Sequence, residues 1–349
     1  MMHHQGCRPG SGALAVLAAL VLAAGSGRGL AADITIVKSG AAKSPINCGS
    51  IESDGSDPAE MCLQTLREDL VRSGWFVLES GRNVPLVVSG HCRLEGGRVE
   101  LYGRVVNQAT GKRYLVETLR DDADQARRVA HRLADLIVQK VKGRPGIAAT
   151  RIAMIRSNRG AKDLYICAYD GAGMVRVTSD EAVCLSPRWT PEADALVYTS
   201  MHRGFPDVYR IDLRNGRRSR IVKFPGLNAG ACVSPDGKRL LVTLSKDGNP
   251  DLYLITLRNG REERLTHTEH AAEASPSWSP DGRRLVYVSD SSGSPQLYIM
   301  EVDAKRPRRL TFRGSENVAP DWGPDGRIAY SSRRNRQYQV CVLDPESGE

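Results

Sequence analysis

Short apolar runs separated by polar turns recur at a fixed interval through the C-terminal part of the chain. The unit is clearest from Trp278 to Thr311. It opens with Trp278-Ser279-Pro280-Asp281-Gly282, continues through Leu285-Val286-Tyr287-Val288 and Gln296-Leu297-Tyr298-Ile299, and closes with Arg309-Leu310-Thr311. The turn proline returns at Pro191, Pro235, Pro280 and Pro324, separated by 44, 45 and 44 residues. The tyrosine of the second run returns at Tyr165, Tyr209, Tyr253 and Tyr298, separated by 44, 44 and 45. Two independent markers keep one period, and a unit of about 40 to 50 residues built from short strands is the signature of a β-propeller blade.

Each part of the unit has a physical task. Pro-Asp-Gly makes a tight turn, because proline fixes φ at the first corner and glycine accepts positive φ at the last. The β-branched and aromatic runs suit strands buried on both faces by neighbouring blades, with the tryptophan packing where blades meet. Residues that every blade needs serve the framework rather than one site.

The residues ahead of the repeats show no such period. Asp33-Ile34-Thr35-Ile36-Val37 reads as a strand. Asp57-Pro58-Ala59-Glu60 reads as a helix start with Asp57 as N-cap, followed by apolar Cys62, Leu63, Leu66 and Leu70 on one face and a stop at Gly74. Strands are expected over Trp75–Leu78 and Leu86–Ser89, and then as a hairpin-like pair over Val99–Val106 and Arg113–Thr118. A second helix, Gln125–Val141, would bury Val129, Leu133, Leu136 and Ile137. Gly143-Arg144-Pro145-Gly146 ends that helix. The expected organisation is a small α/β domain over 32–142, a linker over 143–150, and propeller blades over 151–349.

Ala13 to Ala24 is an unbroken apolar run of 12 residues, shorter than a bilayer span needs. Arg8 precedes it, and Gly29 and Ala31 stand at the −3 and −1 positions of a cut before Ala32. Residues 1–31 therefore read as a cleavable secretory signal peptide, which places the mature chain outside the cytoplasm. Of the 349 residues 41% are hydrophobic and 26% charged, an ordinary globular composition. The formal net charge of +9 falls to +7 once Arg8 and Arg28 leave with the signal. Arginines gather in turns, at Arg217-Arg218, Arg306 with Arg308-Arg309, and Arg333-Arg334 with Arg336. They have no interleaved aromatic platform, so nucleic-acid binding is not expected; solvated loops, or an acidic protein partner, account for them better. Seven of the eight cysteines follow the signal, an odd number. Cys48 with Cys62, and Cys167 with Cys184, are close enough in sequence to consider as pairs, but connectivity stays open.

No nucleophile elbow, HExxH pattern or phosphate loop is present. His267 and His270 flank Glu269 in a polar connection rather than on a helix. His131 and Asp135 are four apart on the second helix and read as a solvated pair or a domain contact. Asp54-Gly55-Ser56-Asp57 lacks the later ligands of a calcium loop. No catalytic residue, metal or cofactor is expected.

Several of these motifs together resemble one family. They are the signal peptide, the small α/β domain, Ala130-His131-Arg132-Leu133-Ala134-Asp135, Gly143-Arg144-Pro145-Gly146, Thr150-Arg151-Ile152-Ala153 and the tandem Ser-Pro-Asp-Gly turns. In this combination, over essentially the whole mature chain, the sequence resembles the TolB family of the Tol–Pal system. The resemblance implies a non-catalytic periplasmic scaffold with a six-bladed propeller, supporting outer-membrane integrity and constriction during division. One propeller mouth would bind the peptidoglycan-associated lipoprotein Pal, and the mature N-terminus would be presented to the inner-membrane protein TolA. By position, the TolA-like segment is Asp33, Ile34, Thr35, Ile36 and Val37. The Pal-facing residues are Asn228, Ala229, Glu273, Ala274, Ser275, Ser315, Glu316 and Asn317. Two departures stand out: Val233 replaces the tryptophan of the other copies, and the 199 residues from Arg151 hold about four and a half repeats rather than six. The sequence is therefore expected to be part of a longer one. The competing reading is a propeller enzyme, or the regulatory propeller of a peptidase whose hydrolase domain lies beyond Glu349.

Overall fold

The computed structural model describes residues 42–158 and 160–348. The expected signal peptide and the Asp33–Val37 segment lie outside the described residues. The chain divides into two compact units. One runs to Ile152 and includes Ile166–Val175; the other comprises Ala153–Tyr165 and the chain from Arg176 onward.

The first unit is a two-layer α/β structure. Strands β1 (Ser44–Ser53), β2 (Phe76–Leu78), β3 (Leu86–Glu95), β4 (Arg98–Asn107) and β5 (Arg113–Asp122) form one sheet in the order β2-β1-β3-β4-β5. β1 is parallel to both of its neighbours and the remaining pairs are antiparallel. Helices α1 (Asp57–Arg72) and α2 (Ala126–Lys142) pack against each other and on the sheet. Their apolar faces, Cys62, Leu63, Leu66 and Leu70 from α1 and Val129, Leu133 and Ile137 from α2, join Ile46, Val88, Val99, Leu101 and Val105 in one core.

Three sequence expectations change here. The N-cap of α1 is Ser56, not Asp57, because the Asp54 carboxylate accepts the Ser56 amide at 3.0 Å and its hydroxyl at 2.6 Å and so sets the turn one residue earlier. β1 was not anticipated, since Pro45, Asn47, Gly49 and Ser50 are turn-type residues. Burial of Ile46, Cys48 and Ile51 between β2 and β3 overrides that local preference. The cysteines are free thiols throughout the described residues. Folding brings Cys62 of α1 beside Cys92 of β3 rather than beside Cys48.

The second unit contains the blades. The first sheet has the order β6-β7-β8, from β6 (Arg151–Asn158), β7 (Ala161–Ala168) and β8 (Val175–Arg176). Three four-stranded antiparallel sheets follow. They are β9 (Cys184–Trp189) to β12 (Arg218–Val222) by way of β10 (Ala195–Ser200) and β11 (Asp207–Asp212); β13 (Asn228–Val233) to β16 (Glu262–Arg264) by way of β14 (Arg239–Leu244) and β15 (Asp251–Thr256); and β17 (Glu273–Trp278) to β20 (Pro307–Arg309) by way of β18 (Arg284–Ser289) and β19 (Gln296–Glu301). The last sheet is β21 (Glu316–Trp322), β22 (Ile328–Arg334) and β23 (Gln337–Leu343). Five blade sheets are therefore present among the described residues. Trp278 packs on Cys232, Leu241 and Leu252 of the preceding blade and donates its indole N–H to the Cys232 carbonyl at 3.2 Å.

The Pro-Asp-Gly turns adopt the conformation their residues require. Gly237, Gly282 and Gly326 have φ of 71°, 68° and 86°, but the equivalent corner of the first copy is Ala193 at φ 54°. Left-handed backbone costs a non-glycine residue about 1–2 kcal/mol, partly offset by the chain entropy that glycine loses. Ala193→Gly is therefore expected to stabilise the propeller by about 0.5–1 kcal/mol. A urea midpoint that stays level or falls would contradict this reading of the turn.

Candidate functional site

One end of the propeller is defined by a hydrogen bond that repeats with the blades. The loop between the second and third strands of a blade ends in proline, and that proline's carbonyl accepts the amide that opens the next blade. Asn228 donates to Pro206 at 3.2 Å, Glu273 to Pro250 at 2.8 Å and Asn317 to Pro295 at 2.8 Å. These loops and the blade-to-blade connections 223–227, 265–272 and 310–315 therefore share one rim. The Ser-Pro-Asp-Gly turns lie at the opposite end of each first strand.

Two repeated devices hold the rim in shape. The first is a clasp between the third and fourth strands. Asp163, Asp207 and Asp251 each pair with an arginine 13 residues later, Arg176 at 2.7 Å, Arg220 at 2.9 Å, and Arg264. Thr266 adds a hydroxyl bond to Asp251 at 2.9 Å, and its carbonyl accepts Arg264 Nε at 3.0 Å. In the next blade Gln296 replaces the aspartate and accepts from Thr311 at 2.9 Å, while Arg309 Nε still reaches the Thr311 carbonyl at 2.7 Å. The second device is a bulge in each innermost strand. Ser186, Gly230, Ser275 and Ala319 have φ of 50°, 62°, 54° and 52° beside the register shifts of their strands. A bulge bends the strand and redirects its side chains, here toward the propeller axis. Across that axis Arg188 Nη1 lies 2.5 Å from Asp321 Oδ1, and Arg188 Nη2 donates to the Pro320 carbonyl at 3.0 Å.

The eight rim residues expected from sequence differ in exposure. Asn228, Glu273, Ala274 and Asn317 are buried, Ala229, Ser275 and Glu316 are half-buried, and Ser315 is exposed. Asn228 works inside the rim, where its Nδ2 donates to the Phe224 carbonyl at 2.7 Å and its Oδ1 accepts the Phe224 amide at 2.8 Å. Asn317 donates to the Arg313 carbonyl at 2.8 Å. Glu316 is engaged by Arg333 and by the Tyr338 hydroxyl, each at 2.5 Å.

The side chains that the rim offers to solvent lie mostly in the connections just before those positions. Phe205 is 72% exposed and Phe312 74%. Arg203, Lys223, Arg313, Arg334 and Arg336 are exposed around them, with His267, Glu269 and His270. Sequence reasoning missed both phenylalanines. The available signal was that three of the four phenylalanines in the chain, Phe205, Phe224 and Phe312, stand in connections out of step with any strand, and Phe224 is the one of these that is half-buried. The described residues hold no cluster of three or more His, Cys, Asp or Glu side chains placed for a metal. What this surface can do is bind: exposed aromatic and guanidinium groups on a rigid frame are the usual anchors of protein interfaces.

The junction motif also has a physical origin. Asp135 of α2 accepts the amides of Ala148 at 2.7 Å and Ala149 at 2.9 Å. Gly146 is required beside it, because a Cβ there would fall 2.4 Å from the Asp135 Cα. His131 is not paired with Asp135. It is buried, with Nδ1 2.6 Å from Asp69 Oδ2 and Nε2 3.6 Å from Asp170, which Arg127 also holds. A solvated pair on one helix was the wrong picture, because α1 supplies a closer carboxylate.

A family model described as the TolB beta propeller domain matches residues 138–349. The Tol-Pal system protein TolB of Aromatoleum aromaticum is 34% identical over 234 residues, covering 61% of this chain and 54% of the relative. That of Legionella pneumophila (strain Corby) is 30% identical over 224 residues, covering 58% and 53%. The chain thus spans about half the length of these curated relatives. The crystal structure of TolB from Acinetobacter baumannii superposes with a TM-score of 0.78 at 29% identity, covering 88% of this chain and 82% of that one. With the repeat period, the α/β unit, the blade sheets and these matches in agreement, this chain belongs to the TolB family of Tol–Pal system proteins.

Proposed function

We propose that the chain is a non-catalytic periplasmic scaffold whose propeller rim docks a Pal-like peptidoglycan-associated lipoprotein, while Asp33–Val37 is presented to a TolA-like inner-membrane protein. In this reading the protein joins envelope layers by binding, and its contribution to outer-membrane integrity and constriction follows from that link. The observation that carries the proposal is the exposed pair Phe205 and Phe312 on the rim of a TolB-family propeller. The Arg309 guanidinium lies over the Phe312 ring, 5.0 Å from its centroid, and both phenylalanines leave most of their surface to solvent, where an interface could use them as anchors. The surrounding arginines and Lys223 suit a partner with an acidic patch, and they would speed encounter more than they strengthen the final complex. Buried Asn228 and Asn317 set the loops, and Ser275, Ser315 and Glu316 complete the contact zone.

Titration calorimetry with the lipoprotein's purified periplasmic domain tests this. Anchors of this kind are worth about 2 kcal/mol each, so Phe205→Ala and Phe312→Ala should each weaken binding roughly 30-fold while the unfolding midpoint is kept. Wild-type affinity in both variants would exclude the rim as the docking face.

A further inference from the structure

Two free thiols meet inside the α/β unit. Cys62 stands on α1 and Cys92 on β3, 30 residues apart in sequence, and their side chains hydrogen-bond one another. Both are wholly buried in the core of this unit.

The surrounding chain builds this encounter. Cys92 pairs with Ser53 at the end of β1, and its carbonyl accepts the Asp54 amide at 3.2 Å. The Asp54 carboxylate then holds two elements at once: Oδ1 accepts the Ser56 amide and hydroxyl where α1 opens, and Oδ2 accepts the Leu94 amide of β3 at 2.6 Å. One side chain thus ties the start of the helix to the strand. Cys62 follows on the inward stripe of α1 with Ala59, Leu66 and Leu70, which fixes it over the sheet. Other thiols are engaged differently. Cys184 Sγ lies 3.6 Å from Thr178 Oγ1, and Cys232 Sγ donates to the Pro276 carbonyl at 3.2 Å. Their partners are oxygens, whereas the partner of Cys62 is a second sulfur. A thiol is a weak donor and a weak acceptor, so the contact adds little as a hydrogen bond. Its capacity lies in covalent chemistry.

We propose that Cys62 and Cys92 form a modification site, joined as a disulfide that staples α1 to β3 when the chain folds in an oxidising medium. The oxidant is itself a disulfide, carried by a protein oxidoreductase or a small thiol compound. One cysteine thiolate attacks it, forming a mixed disulfide and releasing the first thiol; the other cysteine then attacks the protein-side sulfur, forming the Cys62–Cys92 bond and releasing the second. Two protein S–H bonds are lost, the oxidant's S–S bond is reduced, and both protons leave on its thiols. Because both sulfurs are buried in the folded unit, the exchange belongs to folding, before α1 closes on the sheet. The site stands on the α/β unit alone; its oxidation in the cell rests on the periplasmic reading proposed above.

The test uses the whole mature chain, folded once in a mixture of oxidised and reduced glutathione and once in excess reductant. Alkylation in denaturant should count two fewer thiols than the seven of the reduced chain, and peptide mapping should show Cys62 linked to Cys92. The closed loop should raise the thermal transition of the α/β unit by on the order of 10 °C, a shift that reductant removes and that the Cys62→Ala, Cys92→Ala double variant lacks. If oxidative refolding yields no native protein, oxidation of the folded chain at the foot of its urea transition gives the same map. Alkylation of both residues after oxidation, or linkage of either to a third cysteine, would overturn the proposal. Thiols trapped in intact cells separate the two readings: a pair that links in vitro but is reduced in the cell keeps the site and removes the periplasmic assignment.

Discussion

His131→Ala should destabilise the α/β unit by on the order of 3–5 kcal/mol, seen as an early first transition in chemical denaturation that leaves the propeller transition in place. His131 stands between the buried carboxylates of Asp69 and Asp170, 2.6 and 3.6 Å away. Arg127 balances Asp170 from the other side. Removal of the imidazole leaves Asp69 without the partner its Oδ2 now has, and its Oδ1 already lacks one. The penalty is that of an uncompensated buried charge rather than of one lost bond. The double variant His131→Leu with Asp69→Leu removes both partners and should recover most of the loss. A double variant as unstable as the single one would show that apolar packing, and not the charge, was at stake.

The second large effect is expected from the clasp. Asp251→Ala should cost the propeller roughly 3 kcal/mol, because it strips the half-buried Arg264 of its buried carboxylate partner and Thr266 of its acceptor. Asp207 supplies the internal comparison. It pairs with Arg220, but Val222 stands where Thr266 does, so one hydrogen bond is missing from the start. Asp207→Ala should therefore cost about 1 kcal/mol less than Asp251→Ala. Equal losses in urea denaturation would mean that the threonine contributes nothing and that the clasp is a simple ion pair.

The repeat was legible because its markers are local. Pro-Asp-Gly, Leu-Tyr-Ile and Arg-Leu-Thr each carry their conformational preference in adjacent residues, and the blades follow from their spacing. The clasp was half legible. Arg309-Leu310-Thr311 was visible as a closing motif, but the partner lies 13 residues before the arginine, Gln296 in this blade and an aspartate in the others, and reads in isolation as an ordinary polar strand end. The bulge ring was not legible, because only Gly230 among its four members is a residue type that signals left-handed backbone. Ser186, Ser275 and Ala319 are forced there by the sheet around them. Asp69 looked like one more polar residue on α1, since hydrophobic periodicity says nothing about a partner 62 residues away.

The same distinction explains the rim. Sequence variation between repeats singled out the end of the blades where the Asn228, Glu273 and Asn317 amides are bound, but position in a repeat does not reveal which way a side chain faces. Asn228 and Asn317 turn inward to hold their connections, whereas Phe205 and Phe312 turn outward from them. Under the proposed docking at the rim, a large apolar residue left exposed in a turn is the feature that would mark contact rather than framework.

Hydrogen exchange on the chain alone and with the lipoprotein's periplasmic domain tests the central claim most directly. Docking at the rim predicts new protection in the 202–206, 223–230, 265–275 and 310–317 segments, with the turns around Pro191, Pro235, Pro280 and Pro324 unchanged. Protection confined to those turns, or spread over the α/β unit without the rim, would contradict it.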